Sequence, residues 1–218
     1  MISRKLAIIL TAIALAAAYT GYWFYARAVA VEIIENWTEQ RRAEGYTVAY
    51  NGPTIGGFPL LIRGVLEDLH LQREAFTWRG ERMLIELQPW NFRRIRVDLN
   101  GKQLITAKAG KEQMTLAPME MAVVVTLSET NRLADATLLV RDLNVSDPAG
   151  MSLMQTAEIW MEATTPDVLT APHEDTSLML SISAADVRLP QAVDGPLGRT
   201  MSKLHADLQI RGNVPGGA

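Results

Sequence analysis

The sequence predicts a mainly β protein in which an N-terminal transmembrane helix and a juxtamembrane helix precede an antiparallel, curved or two-layer β-sheet domain. Two patterns predict this fold class. An uncharged apolar run extends from Leu6 to Ala26 near the start of the 218-residue chain. After Gly45, short runs with apolar residues at every second position recur, separated by Gly, Pro and Asn, as half-buried strands do. The predicted segments are a cytoplasmic tip (residues 1–5), a transmembrane helix (6–26), a juxtamembrane amphipathic helix (27–44) and a periplasmic β-rich domain (45–218).

The apolar run has the length that a membrane-spanning helix requires. About 20 residues at about 1.5 Å rise per residue cross the roughly 30 Å hydrocarbon core of a bilayer. Aromatic side chains crowd the far end of the run, where they favour the membrane-water boundary: Tyr19, Tyr22, Trp23, Phe24 and Tyr25. A cleaved secretory signal is the alternative, with small residues at 16–18 as a possible cleavage site. The uninterrupted run through Tyr25 favours an uncleaved anchor.

Basic residues next to the run predict its orientation. Arg4 and Lys5 precede it, whereas Arg27 alone follows closely and is soon offset by Glu32. Because loops rich in Lys and Arg stay in the cytoplasm, the N-terminus should be cytoplasmic. We therefore expect a bacterial inner-membrane protein with the bulk of its chain in the periplasm.

The segment 27–44 is predicted to be a charged amphipathic helix, which we call the stem. Val29, Ile33, Ile34 and Trp37 recur at a spacing of three to four residues, which predicts one apolar stripe along a helix. Gly45 is a suitable left-handed stop. The stripe predicts packing on the chain's own domain, and docking onto a membrane-protein partner through the span and stem is the alternative.

Turn residues divide the predicted strands. Asn51-Gly52 and Asn100-Gly101 are typical of hairpin turns. Gly56, Gly57, Phe58 and Pro59 exclude a helix and predict a strained loop at the start of a strand. The paired glycines are not followed by the Lys-Ser or Lys-Thr of a phosphate-binding loop.

Some strands are apolar on both faces, as in the run 119–127 and again around 138–143. Either two sheets cover them, or one long sheet curls so that its inner face encloses apolar space. In the second case the face could hold an apolar ligand, such as a membrane lipid. The candidate residues for this apolar-ligand face are Val123, Val125, Leu138 and Leu180.

Composition excludes several classes of function. The net charge of −3 leaves no basic tract for a phosphate backbone, so we expect no nucleic-acid partner. The chain has no cysteine, and its histidines, His70, His173 and His205, are scattered singly without ligand spacing. No nucleophile elbow occurs. We therefore predict a protein that is not an enzyme and has no catalytic, metal-binding or cofactor-binding residues.

Several motifs carry a family resemblance. Asn36-Trp37, the run 41–46, the run 56–60 and Pro89-Trp90 resemble the domain-of-unknown-function 2125 family of bacterial envelope proteins. That resemblance implies a location and a layout but no catalytic residues. More loosely, the plan is similar to that of AsmA-like envelope proteins, whose long sheets are associated with lipid movement and outer-membrane assembly. Two functions follow as expectations: binding of lipid or another apolar ligand in envelope biogenesis, or a structural subunit that docks onto a membrane protein complex.

Overall fold

The computed structural model describes residues 4–74, 76–107, 112–130, 132–165, 176–189 and 198–211. This part of the chain forms one long helix followed by an antiparallel sheet of ten strands, which confirms the predicted fold class. The elements are α1 (Arg4–Ala43), β1 (Thr47–Gly56), β2 (Ile62–Arg73), β3 (Phe76–Gln88), β4 (Asn91–Ala107), β5 (Glu112–Ala117), β6 (Glu120–Leu127), β7 (Leu133–Ser146), β8 (Ser152–Thr164), β9 (Thr176–Arg188) and β10 (Thr200–Arg211).

The two predicted helical segments form the single helix α1, without a break between residues 26 and 27. At about 1.5 Å per residue its 40 residues extend roughly 60 Å. Gly45 ends it with a φ of 87°. The amides of Gly45 and Tyr46 donate to the carbonyls of Arg42 and Arg41, both at 3.0 Å. This is the left-handed cap expected of a glycine just past a helix.

The first part of α1 protrudes from the domain. Residues 4–18 are exposed, and by length and composition the helix can cross a membrane. From Tyr19 onward one side of α1 lies against the sheet. An N-terminal membrane anchor is therefore compatible with the structure.

The stripe by which α1 packs on the sheet begins earlier than predicted. Its buried residues are Trp23, Ala26, Ala30, Ile34 and Thr38. Of the four residues predicted to form the stripe, Ile34 is buried, Val29 is half-buried, and Ile33 and Trp37 are exposed, so that part of the prediction is wrong. Small side chains at Ala26 and Ala30 let the helix approach the sheet closely, and they set which side of the helix faces it.

The sheet is an up-and-down meander. Each strand pairs with its neighbour in the sequence, except that β5 and β6 both pair with β4 and β7. Together β5 and β6 act as one interrupted strand, because the 17-residue β4 is long enough to pair with both. The interruption falls at Pro118, which has no N–H to donate to the ladder.

The predicted hairpin turns at Asn51-Gly52 and Asn100-Gly101 are wrong. Both pairs lie inside strands, in β1 and β4. Gly52 and Gly101 do have positive φ values, of 108° and 86°, and pairing registers shift nearby. A left-handed glycine also suits a β-bulge, and here the strand continues past each one.

The ten strands form one sheet, so the described residues contain no second sheet layer. Helix α1 covers one end of one face. Trp23, Ala26 and Ala30 pack with Ile62 and Leu87, and Ile34 packs with Leu66 and Leu69. This helix-on-sheet contact is the core at the β1–β3 end of the domain.

Candidate apolar binding face

The sheet brings the four predicted apolar-ligand residues onto one face. Val123 pairs directly with Leu138 across β6 and β7. Val125 pairs with Ala136, Ala136 with Ala163, and Ala163 with Leu180. Residues directly opposite each other in an antiparallel pair point to the same side. All four candidates therefore belong to one surface.

That surface continues across the sheet in three parallel rows of paired residues, which together we call the apolar face. The rows are Ile62, Leu87, Ile95, Val125, Ala136, Ala163, Leu180 and Leu208; Gly64, Ile85, Val97, Val123, Leu138, Met161, Ile182 and Ala206; and Leu66, Met83, Leu99, Met121, Val140, Ile159, Ala184 and Leu204. In the third row Leu99 and Met121 are not themselves a ladder pair, because the β4–β6 ladder ends one residue earlier, at Asp98 and Ala122. No row contains a charged residue. From β4 to β10 the face is roughly 24 Å wide at about 4.8 Å per strand.

The opposite face carries charge. In β2–β4 the next row is Arg63, Glu86 and Arg96, and Arg63 binds Glu86 at 2.5 Å. Farther along, Glu120 lies 2.9 Å from Arg141 and 3.5 Å from Arg96. Exposed pairs of this kind contribute little stability singly. The charged side chains of these rows lie on this side of the sheet, here called the polar face, although it also carries apolar residues such as Leu84, Ala122 and Leu139.

A buried carboxylate reinforces this ladder of charges. Asp98 is buried and binds the Arg96 guanidinium at 2.7 Å. The hydrogen bond from Arg96 to Asp98 raises the pKa of Arg96 above its ordinary value, partly opposed by burial. The pair satisfies a carboxylate that would be costly to bury alone.

Three aspartates keep the apolar face continuous along the strands. Asp68, Asp142 and Asp186 lie inside β2, β7 and β9 with φ values of 51°, 47° and 52°. Asp is one of the few residues that tolerate this left-handed conformation. The residue after each one is buried.

The effect of these aspartates is to shift the strand alternation by one residue. In a regular strand, residues three apart point to opposite faces. Yet Val140 and Leu143 belong to one hydrophobic cluster, and Leu66 and Leu69 share another. Sequence reasoning missed these aspartates. Their signature is an Asp inside a strand with apolar residues two before and one after it.

Helix α1 leaves most of the apolar face uncovered. Its contacts are with β1 and β2 and with Leu87 and Phe92 of the next two strands. Beyond these, Val123, Val125, Leu138 and Leu180 are half-buried. Exposure is greatest on β10, where Leu208 is 53% exposed. Among the described residues, no other element packs over this part of the face.

The predicted loop Gly56, Gly57, Phe58 and Pro59 lies at the tip of the β1–β2 hairpin. Gly57 has a φ of 99°, and a Cβ there would lie 2.6 Å from the carbonyl oxygen of Leu61. Gly56 has open space around it. The backbone restriction is therefore at Gly57 rather than at both glycines.

Charged groups do not gather into a metal site in the described part of the chain. His70 lies in β2, and His205 lies on β10, where its ring bonds Asp207 at 3.0 Å. His173 lies outside the described residues. The two described histidines are thus on separate strands far apart in the sheet order.

These features define a class of protein: a helix long enough to span a membrane, joined to an amphipathic antiparallel sheet with an open apolar face. The family model described as "Uncharacterized protein conserved in bacteria (DUF2125)" matches residues 23–217. The chain therefore belongs to this family, as its motifs predicted. The looser likeness to AsmA-like proteins is not confirmed. No curated protein and no solved structure is significantly similar to the chain.

Proposed function

We propose that this chain is a membrane-anchored protein of the bacterial envelope whose apolar face binds a lipid acyl chain or another apolar ligand. The observation that carries the proposal is the apolar face itself. Antiparallel sheets usually bury one face against a core and leave the other in water. Here no described element packs over that face across β4–β10. Val140 is buried among its neighbours on the face, but most of the other side chains remain partly exposed, and an extended apolar ligand would cover them.

The sheet's position beside a membrane-length helix supports lipid as the ligand class. An acyl chain gains about 0.8 kcal/mol for each buried CH₂, so ten methylenes supply about 8 kcal/mol. Association costs of about 4–15 kcal/mol oppose this gain. Ten methylenes therefore offset only the lower part of that cost, so a measurable affinity requires an acyl chain with more than ten buried methylenes, and binding of this strength would be reversible. The function is binding without a chemical step, and it needs no cofactor.

Photocrosslinking tests the proposal, with controls one residue away. A photoreactive analogue at Val123, Val125, Leu138 or Leu180 should crosslink to acyl chains when the full chain is extracted with its native lipids. Val124 and Thr137 are paired with each other on the polar face, between the test positions, and should not crosslink. Mass spectrometry of the adducts identifies the lipid. Equal yields at test and control positions would contradict binding by this face.

Periplasmic location of the sheet is part of the same proposal. Arg4 and Lys5 before the apolar run favour a cytoplasmic N-terminus. Reporter fusions after Gly45 should therefore be active only with a reporter that works in the periplasm. Activity of a cytoplasmic reporter at that junction would reverse the orientation.

A docking subunit is the second candidate function, favoured by the edge strand β10. Its apolar residues Leu204, Leu208 and Ile210 are exposed, and no described strand pairs with its outer edge. Exposed edges are typical sites for strand addition by another protein. In that case a stoichiometric protein should copurify with the native chain, and substitution of Leu208→Glu should release it.

A further inference from the structure

Helix α1 and strand β2 run side by side in the same direction. Trp23 packs with Ile62 near the start of β2, and Ile34 packs with Leu66 and Leu69 further along it. The exposed N-terminal part of α1 therefore extends beyond the start of β2. If that part spans the membrane, the β1–β2 and β3–β4 hairpin tips are at the membrane end of the sheet.

Three hydrogen bonds fix these tips to the helix. The Tyr19 hydroxyl donates to the carbonyl of Pro59 at 2.5 Å. The Tyr22 hydroxyl donates to the carbonyl of Pro89 at 2.6 Å, and the Trp23 indole donates to that of Leu61 at 3.0 Å. We call the tips, residues 57–61 and 89–90, the rim. The rim lies at the level of residues 19–23 of α1.

This level falls inside the apolar run and not beyond it. The helix over residues 4–18 alone is about 22 Å long at about 1.5 Å per residue. This length is less than the roughly 30 Å thickness of the hydrocarbon core. The run continues to Ala26, which lies about 10 Å beyond Tyr19 along the helix. To bury the whole run, the bilayer must reach past the rim.

The rim has the side chains that such a position requires. Phe58, Leu60 and Trp90 are 52%, 63% and 59% exposed, and neither tip contains a charged residue. Aromatic side chains are favoured at the membrane interface. Arg93 and Arg94 follow shortly after Trp90 and are exposed, and cations there favour anionic headgroups.

We propose that the rim inserts into the membrane leaflet from which α1 emerges, with Phe58, Leu60 and Trp90 as the inserted side chains. The occupant of this surface is lipid, because the rim is bonded to the same helix that would cross the bilayer. Insertion itself does not depend on the proposed ligand binding. If that binding holds, the row from Ile62 to Leu208 lies nearest the rim, and the apolar face opens toward the acyl chains.

Site-specific fluorescence tests the insertion directly. The chain has no native cysteine, so single cysteines at Phe58, Leu60 or Trp90 can each carry an environment-sensitive dye. The full chain is placed in nanodiscs of phosphatidylcholine and phosphatidylglycerol, with and without lipids that carry a quencher. Met151 is the matched control, because it is 65% exposed and lies between β7 and β8, at the opposite end of the strands.

We expect several-fold stronger quenching by lipid at the three rim positions than at Met151, together with a blue-shifted emission. Equal, weak quenching at all four positions would overturn the proposal. A triple Phe58→Ser, Leu60→Ser, Trp90→Ser variant should keep its circular dichroism spectrum and its anchor. A dye on Leu61→Cys in that background should lose most of its lipid quenching, and unchanged quenching there would also overturn it.

The two proposals can fail separately. Rim quenching without acyl crosslinks at Val123 or Leu138 would retain insertion and reject ligand binding by the apolar face. Crosslinks without rim quenching would retain binding and reject insertion. The nanodiscs contain only the purified chain, lipid and scaffold protein, and the quencher is on the lipid, so a cellular partner protein cannot produce the quenching.

Discussion

Replacing Asp142 tests whether the left-handed aspartates hold the apolar face together. Its φ of 47° costs an ordinary L-residue about 1–2 kcal/mol and a β-branched residue more. If Asp142→Val instead returned to an extended conformation, Leu143, now 7% exposed, would turn to the polar face. Exposing such a side chain costs about 1.5–3 kcal/mol. By either route the Val variant should lose about 1–3 kcal/mol of unfolding free energy.

Two matched variants separate this effect from loss of the carboxylate. Asp142→Gly removes the same carboxylate but accepts the left-handed conformation, and it should stay within about 1 kcal/mol of the natural chain. Thr137→Val places valine at a regular position of the same strand and should be close to neutral. Urea unfolding of the detergent-solubilised chain, followed by tryptophan fluorescence, measures all three. If the Val and Gly variants of Asp142 were equally stable, the left-handed aspartate would have no role in the fold.

Three further predictions concern the tip of the β1–β2 hairpin, the helix contact and β10. Gly57→Val should destabilise the chain by about 1–3 kcal/mol in the same urea assay, because its Cβ would meet the Leu61 carbonyl oxygen at 2.6 Å. Ala26→Leu should cost about 1–3 kcal/mol by overpacking, since Ala26 is 0% exposed; a stable variant would contradict the close helix contact. The pKa of Asp207 is lowered mainly by a hydrogen bond from Ser181 and to a smaller extent by one from His205. Ser181→Ala should therefore raise that pKa toward its ordinary value in a carboxyl NMR titration, and any stability that Asp207 contributes is lost as pH falls through its folded pKa.

Much of the layout could be predicted from local patterns. The uncharged run before Arg27 and the two-residue alternation after Gly45 depend on the periodicity of helices and strands, which the sequence displays directly. The placement of Val123 and Val125 on one face also follows from that alternation, whereas Leu138 joins them only through the β6–β7 pairing. Gly45 was predictable as a helix end because few residues accept its backbone conformation.

Other local patterns have two structural outcomes. Asn51-Gly52 and Asn100-Gly101 fit a hairpin turn, yet each lies in a continuous strand as part of a bulge. A left-handed glycine is compatible with both. Which one forms depends on where the partner strand lies, and that strand is more than ten residues away, in β2 for Asn51 and in β3 for Asn100. For the same reason the buried side of α1 could not be located from Ile33 and Trp37.

By itself the sequence determined the class of each segment: an apolar helix, a charged continuation and a chain of amphipathic strands, because each depends on side-chain periodicity along the chain. The tertiary structure alone decided that the strands form one sheet, that Asp68, Asp142 and Asp186 realign its faces, and that α1 covers only one end. It also decided the level of the rim on α1 through three hydrogen bonds. These features depend on pairing between distant residues, which no local pattern specifies.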